Sequence, residues 1–256
     1  NGKGFELRSP VSVGADGRSC VVRKTGGFEF EYEDYDFDIV WFTIDQPAGY
    51  ENTVRAFFSP SHRYLVLPKY PRHIQCWIVV GKGEFTEMRE QGIEAMRQKL
   101  QECHPLLRDF AAGLKDFSHF SVLQARVSFV NPWAQDGCLL IGDAAHTCSP
   151  AGAIGVSVAT ATAIVAADVL VKAFRNNDFS QKALSEVQRI RERDVKKIQK
   201  LQSGLTSAAF LRYPRMQWLS AVSIWLVAKT GIMGLFQRKI FLMNEPLPVD
   251  PGLGFK

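Results

Sequence analysis

Residues 139–170, LLIGDAAHTCSPAGAIGVSVATATAIVAADVL, constrain the fold of this chain more than any other stretch. The apolar run Cys138–Ile141 predicts a short buried strand, and Gly142-Asp143 predicts the turn that ends it. From about Val156 as far as Asp168 the residues are small or apolar and carry no charge. Such a segment predicts a helix that is buried on nearly all sides.

The loop between the predicted strand and the predicted helix is made of small residues. Ala144 and Ala145 leave room for a bulky group to lie close to the backbone, and Pro150, Gly152 and Gly155 keep the chain irregular. The start of a helix offers unpaired N–H groups and a partial positive charge. The sequence therefore predicts a site for a ligand that carries or develops negative charge.

Three other kinds of chemistry have partial support in this stretch. Asp143 and His146 stand three residues apart, but no third ligand clusters near them, so no metal site is expected. Residues Gly155–Ala159 partly match the G-x-S-x-G pattern of a nucleophile elbow. However, Ala159 replaces the closing glycine, and the preceding run is a loop rather than a strand. His146 is a candidate general base, and the alternative is a structural role within the motif.

A second segment, residues 12–23 (SVGADGRSCVVR), predicts a short apolar start followed by a turn at Gly14–Gly17. Taken alone, it is an ordinary Asp-Gly turn. Its pattern, G-A-D-G-x-x-x-x-V-R, gains weight because a second motif follows it further along the chain. That motif is G-D-A-A-H-x-x-x-P-x-G, and it lies within residues 139–170.

Together, the two motifs resemble those of the FAD-dependent aromatic-hydroxylase-like monooxygenases, the single-component flavoprotein hydroxylases. The second motif matches at Leu140, Gly142, Asp143, Ala144, Ala145, His146, Pro150, Gly152 and Gly155. Downstream the chain departs from the family pattern, with Ser157 in place of a frequent Asn and Thr162-Ala163 in place of Asp-Ala. Backbone contacts tolerate such changes better than side-chain contacts do.

The resemblance implies FAD as the cofactor and NAD(P)H as its reductant. In that family the motif Asp, here Asp143, holds a ribityl hydroxyl, and the loop after the motif Pro lies under the pyrimidine edge of the flavin. N–H groups of Gly155, Val156 and Ser157 would stabilise the negative charge of reduced flavin. The residues expected to bind the cofactor are Asp16, Gly17, Arg18, Gly142, Asp143, Pro150, Gly152, Ala153, Ile154, Gly155, Val156 and Ser157.

The activity implied by the resemblance is hydroxylation of an apolar or aromatic small molecule with O₂, through a flavin C4a-hydroperoxide. The cofactor carries that chemistry, so no side chain is named as catalytic. In the family the substrate lies between a sheet and the flavin ring. Candidate pocket residues are Trp41, Phe42, Phe57, Trp77 and Arg126, for each of which ordinary packing is the alternative interpretation.

The remaining pattern predicts an α/β fold that is α+β in part. Apolar alternation predicts strands at 37–45, 53–58, 64–67, 74–80 and 118–130, and short connections favour an antiparallel sheet. Helical spacing covers 85–103, 106–114 and 180–203. We therefore expect an incomplete Rossmann-like FAD-binding domain with an inserted antiparallel-sheet substrate domain and C-terminal helices. Residues 1–28 are expected to be a remnant of the FAD-binding domain and residues 29–130 the substrate domain. Residues 131–203 are expected to be the part of the FAD-binding domain with the second motif, and residues 204–256 the C-terminal helical segment and tail.

The G-x-G-x-x-G fingerprint that opens this family is absent from the sequence. Gly2-Lys3-Gly4 and Gly81-Lys82-Gly83 both lack the third glycine and the strand-to-helix setting. The expectation from the resemblance is that roughly the first third of the enzyme is missing. A catalytically silent flavin-fold fragment is accordingly an alternative function.

Charge and cysteine usage favour a small-molecule enzyme over other classes. The net charge is +5, but the basic residues are scattered apart from a run at 189–200, so no nucleic-acid surface is expected. Five cysteines without a CxxC pair indicate a reducing, cytoplasmic setting. The apolar stretch 216–243 predicts buried or capping helices, with an interfacial membrane helix as the alternative.

Overall fold

The computed structural model describes residues 4, 6–51, 53–58, 63–150, 153–209 and 230. They form two compact units. The first contains the described residues up to Glu33 and those from Arg126 onward, and the second contains those from Asp34 to Ala125. The stretch 216–243 lies outside the described residues, as does the part 204–256 beyond Ala209, except for Thr230.

Eight strands and seven α-helices make up the described chain. In chain order they are β1 (Ser12–Gly14), α1 (Val21–Thr25), β2 (Tyr32–Asp45), β3 (Arg55–Phe58), β4 (Arg63–Lys69), β5 (His73–Gly81), α2 (Glu84–Gln91), α3 (Ile93–Cys103), α4 (Arg108–Gly113), β6 (Ser121–Ser128), β7 (Ala134–Gln135), β8 (Cys138–Leu140), α5 (Gly155–Asn176), α6 (Gln181–Leu184) and α7 (Glu186–Ala209). Short 3-10 turns occupy Pro105–Leu107 and Gly142–Ala144.

The second unit is built on a five-stranded sheet in the order β3-β4-β5-β2-β6. The pairs β3–β4, β4–β5 and β5–β2 are antiparallel, as the sequence predicts, and Trp41 of β2 lies opposite Trp77 of β5. Side chains alternate between the two faces of such a sheet. One face, which includes Val40 and Ile78, is buried in a core with α2, α3 and α4.

Two predicted helices are each divided in the structure. The predicted helix 85–103 breaks at Gly92, whose φ of 98° lies in a region that side-chain-bearing residues avoid. The predicted helix 180–203 separates at Ser185 into α6 and α7. Hydrophobic spacing continues across both breaks, which explains why the periodicity alone does not show them.

The first unit contains a three-stranded sheet in the order β1-β8-β7. The pairing of β1 with β8 is parallel, with Gly14 opposite Leu140. A Cβ on Gly14 would lie 2.6 Å from the Leu140 side chain, so glycine allows the two strands and α1 to pack closely. Together with the second unit, this arrangement confirms the predicted mixed fold class.

The long helix α5 packs one face into the core of the first unit. Its buried positions, including Val158, Val165 and Val169, follow helical spacing. The prediction that α5 is buried on nearly all sides is wrong, because Val156 is 80% exposed and Phe174 is 55% exposed. Among the described helices, α5 is also the one whose length and composition would suit a membrane span, as core helices of many proteins do.

His146 lies in the same core and is 1% exposed. Its Nε2 is 3.0 Å from the Thr162 hydroxyl oxygen, and its ring centre is 4.8 Å from that of Trp133. Burial lowers the pKa of His146 to about 4, and the charge of Arg191 acts in the same direction. The side chain is therefore neutral near pH 7 and forms part of the packed interior.

The Gly142–Ala144 turn generates the first prediction. Gly142 has a φ of +58°, and an added Cβ would lie 3.3 Å from the Cβ of Ala159 on α5. Gly142→Ala should therefore reduce the free energy of unfolding by about 1–3 kcal/mol, measured by urea denaturation. Gly204→Ala, at an uncrowded position within α7, is the matched control and should cost nothing. Equal losses in the two variants would contradict this assignment.

A second prediction concerns acid stability. The unfolded chain protonates His146 near pH 6.5, whereas the folded chain does not until about pH 4, so stability should fall as the pH decreases through this window. From about pH 7.5 to about pH 5, the wild type should lose about 2 kcal/mol more than His146→Gln. Urea denaturation at each pH measures this difference. Parallel pH profiles would show that His146 does not contribute to acid sensitivity.

Candidate functional site

The two sequence motifs meet at one edge of the small sheet. Strands β1 and β8 are parallel, and the segments that follow parallel strands emerge at the same edge. The Ile141 N–H donates to the Gly14 carbonyl at 3.0 Å and continues the pairing as far as the motif turns. Residues that are more than a hundred positions apart in the sequence are thereby brought together.

The Asp-Gly turn after β1 is organised by its own carboxylate. Asp16 accepts a hydrogen bond from the Val21 N–H at 2.7 Å, which helps to fix the start of α1. Hydrogen bonds from the Cys20 thiol and from the Val21 N–H lower the pKa of Asp16. Gly17 has a φ of +80° and allows the turn. The structure therefore gives Asp16 a local bonding role at this edge.

Arg23 joins the two motifs through a fully buried guanidinium group. It donates to the Ala144 carbonyl at 2.9 Å, to the Arg18 carbonyl and to the Tyr32 hydroxyl. Its guanidinium carbon lies 3.7 Å from the centre of the Phe30 ring. Carbonyl oxygens and ring faces thus compensate for removing this charge from water.

Arg18 and Asp143 form an ion pair across the junction, with 3.7 Å between Arg18 Nε and Asp143 Oδ2. Burial raises the pKa of the Asp143 carboxyl, while Arg18 opposes that rise. The Asp143 side chain is 36% exposed, so its carboxylate can still accept a hydrogen bond from a ligand hydroxyl. Its main-chain carbonyl is bonded to the Thr147 hydroxyl at 3.0 Å, which fixes the turn.

The two alanines after Asp143 have a different role from the one predicted. Ala144 and Ala145 are fully buried in the core of the first unit, and the Ala145 carbonyl accepts a hydrogen bond from Val130. The prediction that they leave room for a ligand beside the backbone is therefore wrong. Their small side chains instead allow the turn to pack tightly against its neighbours.

Helix α5 begins at Gly155, directly after the loop of the second motif. Its first N–H groups have no acceptors within the helix, and the side chain of the N-cap residue Ile154 caps none of them. Val156 and Ser157 are exposed in this first turn. Ala153 has a φ of +53°, and its N–H donates to the Pro150 carbonyl at 3.1 Å. The motif residue Gly152 lies outside the described residues.

These groups fit an FAD molecule in their chemistry. A partly exposed carboxylate suits a sugar-like hydroxyl, and an uncapped helix start suits an electron-rich ring edge. Of the predicted cofactor residues, Arg18 and Asp143 are in direct contact. Gly142 packs against the α5 residue Ala159, so the motif turn adjoins the helix. The assignment of these residues to the cofactor remains a prediction.

The candidate substrate residues do not form one group. Trp41 and Trp77 share one face of the second unit's sheet, with ring centres 6.1 Å apart. A cavity of about 440 Å³ opens beside Trp41 and is lined also by Gln75, Ser121, Val122 and Leu123. The structure thus retains Trp41 as a pocket candidate, with Trp77 as its neighbour.

Two candidate residues lie on the opposite face of that sheet. Phe57 stacks on Tyr64 with 4.4 Å between ring centres, and Phe42 stacks on Phe110 at 5.2 Å. Phe42 belongs to the core under the helices and Phe57 packs against that core, which favours the ordinary packing given as the alternative for both. Sequence alternation could separate Phe42 from Trp41, but the face of Phe57 depends on strand pairing.

Arg126 belongs to the first unit, and its guanidinium carbon lies 4.6 Å from the centre of the Tyr32 ring. It therefore joins the aromatic and cationic groups around Arg23 rather than the tryptophan face. The sequence places Arg23 in the first motif but indicates no role for its side chain. Within the described residues, no group of three or more His, Cys, Asp or Glu side chains could hold a metal ion.

Comparisons with known proteins identify relatives of this chain. A relative, 6-methylpretetramide 4-monooxygenase from Streptomyces rimosus, is 32% identical over 202 residues, which cover 78% of this chain and 48% of the relative. The chain thus spans about half the length of that enzyme.

Solved structures show the same fold. The probable FAD-dependent monooxygenase PqsL of Pseudomonas aeruginosa has a TM-score of 0.65 at 21% identity, covering 84% of this chain and 59% of PqsL. The flavin-dependent brominase Bmp2 has a TM-score of 0.68 at 16% identity, covering 92% of this chain and 58% of Bmp2.

A family model described as "FAD binding domain" matches residues 1–198, well over half of the chain. The relative from Streptomyces rimosus is named as a monooxygenase, in agreement with the two flavin motifs. The chain therefore belongs to the FAD binding domain family, and it is similar to FAD-dependent monooxygenases.

Proposed function

We propose that this chain forms the flavin-contacting and substrate-contacting part of an FAD-dependent monooxygenase that hydroxylates an apolar or aromatic small molecule. The observation that carries the proposal is the junction of β1 and β8, where Asp143 lies beside Arg18 in a turn that packs against α5. We further propose that residues 1–28 and 131–203 serve the cofactor and residues 29–130 the substrate.

The residues at the junction would bind and orient the cofactor. Asp143 would accept a hydrogen bond from a ribityl hydroxyl, and Arg18 would keep that carboxylate ionised. N–H groups at the start of α5 would face the N1–C2=O edge, where reduced flavin carries negative charge. When bound, FAD would supply the redox chemistry, accepting a hydride from NAD(P)H and activating O₂ by the route that the resemblance implies.

The open sheet face of the second unit supports an apolar or aromatic substrate. Trp41 and Trp77 offer flat apolar surfaces, and Gln75 adds an amide beside the cavity. The name of the Streptomyces rimosus relative and the structure of PqsL with 2-aminobenzoylacetate indicate that proteins of this fold act on small molecules. The cytoplasmic setting expected from the cysteines belongs to the same proposal.

Asp143→Ala in the full-length protein tests the cofactor site. Loss of a hydrogen bond to a charged group should weaken FAD binding by about 1.5–3 kcal/mol, or about 10- to 150-fold in Kd. A fluorescence titration with FAD measures the change. Asp143→Asn keeps an acceptor oxygen and should lose less, while Asp109→Ala, on the exposed surface of α4, should lose nothing. Unchanged affinity in Asp143→Ala would refute the role of this carboxylate.

Val156→Pro tests the helix start without disturbing the helix. Val156 is the second residue of α5 and is exposed, and proline is tolerated in a first turn. Removing its N–H should make the flavin reduction potential more negative by about 30–60 mV, because one charge-assisted hydrogen bond to the reduced ring is lost. A spectroelectrochemical titration gives the potential. Val156→Ala keeps the N–H and should leave the potential unchanged; equal potentials in both variants would place the flavin elsewhere.

A further inference from the structure

Three glutamines of α7 connect this helix to the chain around the second motif. Gln188 accepts from the Trp133 N–H at 2.9 Å and donates to the Asn131 side chain at 2.8 Å. Gln199 donates to the carbonyls of Ser128 and Thr147, both at 2.9 Å. Both amides therefore bond to main-chain groups of the segments that lead to the second motif.

Gln202 makes two hydrogen bonds to a single residue, Ser149. Its Oε1 accepts from the Ser149 N–H at 3.2 Å, and its Nε2 donates to the Ser149 carbonyl at 2.9 Å. Gln202 is 1% exposed and Ser149 is 2% exposed, so both hydrogen bonds are shielded from water. A side-chain amide that bonds to both main-chain groups of one residue fixes its position and its orientation.

The residue held in this way stands at the entrance to the loop of the second motif. Ser149 directly precedes Pro150, whose carbonyl accepts from Ala153, and α5 begins two residues after Ala153. Gln199 holds Thr147 on the other side of Cys148. Two side chains from one turn of α7 thus fix the backbone that leads into the first turn of α5.

We infer that Gln202 is a positioning residue for the proposed flavin site, and that it sets the path of residues 147–150, which lead towards the start of α5, by bonding to both main-chain groups of Ser149. The consequence for the cofactor rests on the proposed function, whereas the clamp itself can be tested without flavin. In this assignment α7 supports the loop from the side of the core, and the exposed side of the first turn of α5 remains available to a ligand.

Cys148 is a natural reporter of the clamp because it lies between the two clamped residues. It is 5% exposed, and burial raises the pKa of its thiol to about 12, so it should react slowly while the loop is held. Cys76 is an internal control, since it is 1% exposed in the second unit and burial raises its thiol pKa to about 12 as well.

Labelling with N-ethylmaleimide, followed by peptide mass spectrometry, measures both thiols in the same sample. Gln202→Leu should accelerate labelling of Cys148 by at least about tenfold, equivalent to about 1.4 kcal/mol, and leave Cys76 unchanged. Gln188→Leu is the matched control, because it removes one buried and two partly buried hydrogen bonds from the same helix without touching Ser149. It should leave labelling of Cys148 at the wild-type rate.

A second variant covers the case in which leucine prevents folding. Gln202→Asn retains an amide but is one methylene shorter, so it should also accelerate labelling of Cys148 selectively. The inference is overturned if neither Gln202 variant exposes Cys148, or if Gln188→Leu exposes it as strongly. Acceleration at Cys76 as well would show general unfolding and would equally overturn it.

An FAD titration of the full-length Gln202→Leu protein separates the clamp from the proposed function. We expect faster labelling of Cys148 together with FAD binding weakened by about tenfold. Faster labelling with unchanged FAD affinity would support the clamp and count against the loop as the flavin site. Unchanged labelling would count against the clamp, whatever the FAD affinity.

Discussion

The candidate site depends on the hydrogen bonds that the buried guanidinium of Arg23 makes to two turns of the main chain. Strands β1 and β8 pair over only three residues each, which is too short to fix the turns that follow them. Arg23 bonds to the carbonyls of Arg18 and Ala144, one in each turn. Because a buried charge is costly unless it is paired, loss of either carbonyl would destabilise the folded chain, so these two hydrogen bonds oppose displacement of either turn.

Much of the fold follows from local pattern in the sequence. Alternation along β2 and β5 predicts their faces, and Asn177, with a φ of +48°, ends α5 in the left-handed conformation that Asn tolerates. Both flavin motifs are recognisable because small residues and a carboxylate occur at fixed spacing. Such features depend on neighbours in the chain, which a single sequence displays directly.

What the sequence could not predict depends on partners far along the chain. Phe57 lies on the helix-covered face because β3 pairs with β4 in a register that sets it opposite Tyr64, a relation that no local pattern encodes. The sequence also does not show which side of α5 is exposed, because its composition is apolar all round. The role of Arg23 was hidden because its acceptors are main-chain carbonyls, which every residue possesses.

The composition of the second motif explains why its supports come from elsewhere. A loop rich in Gly and Ala offers its backbone to a ligand but has few side chains with which to hold itself. Arg23 fixes one end of the segment through the carbonyl of Ala144, and Gln199 and Gln202 hold the middle through Thr147 and Ser149. All three supports come from outside the segment and bond to its main chain, so the backbone from Ala144 to Ser149 is fixed without large side chains of its own.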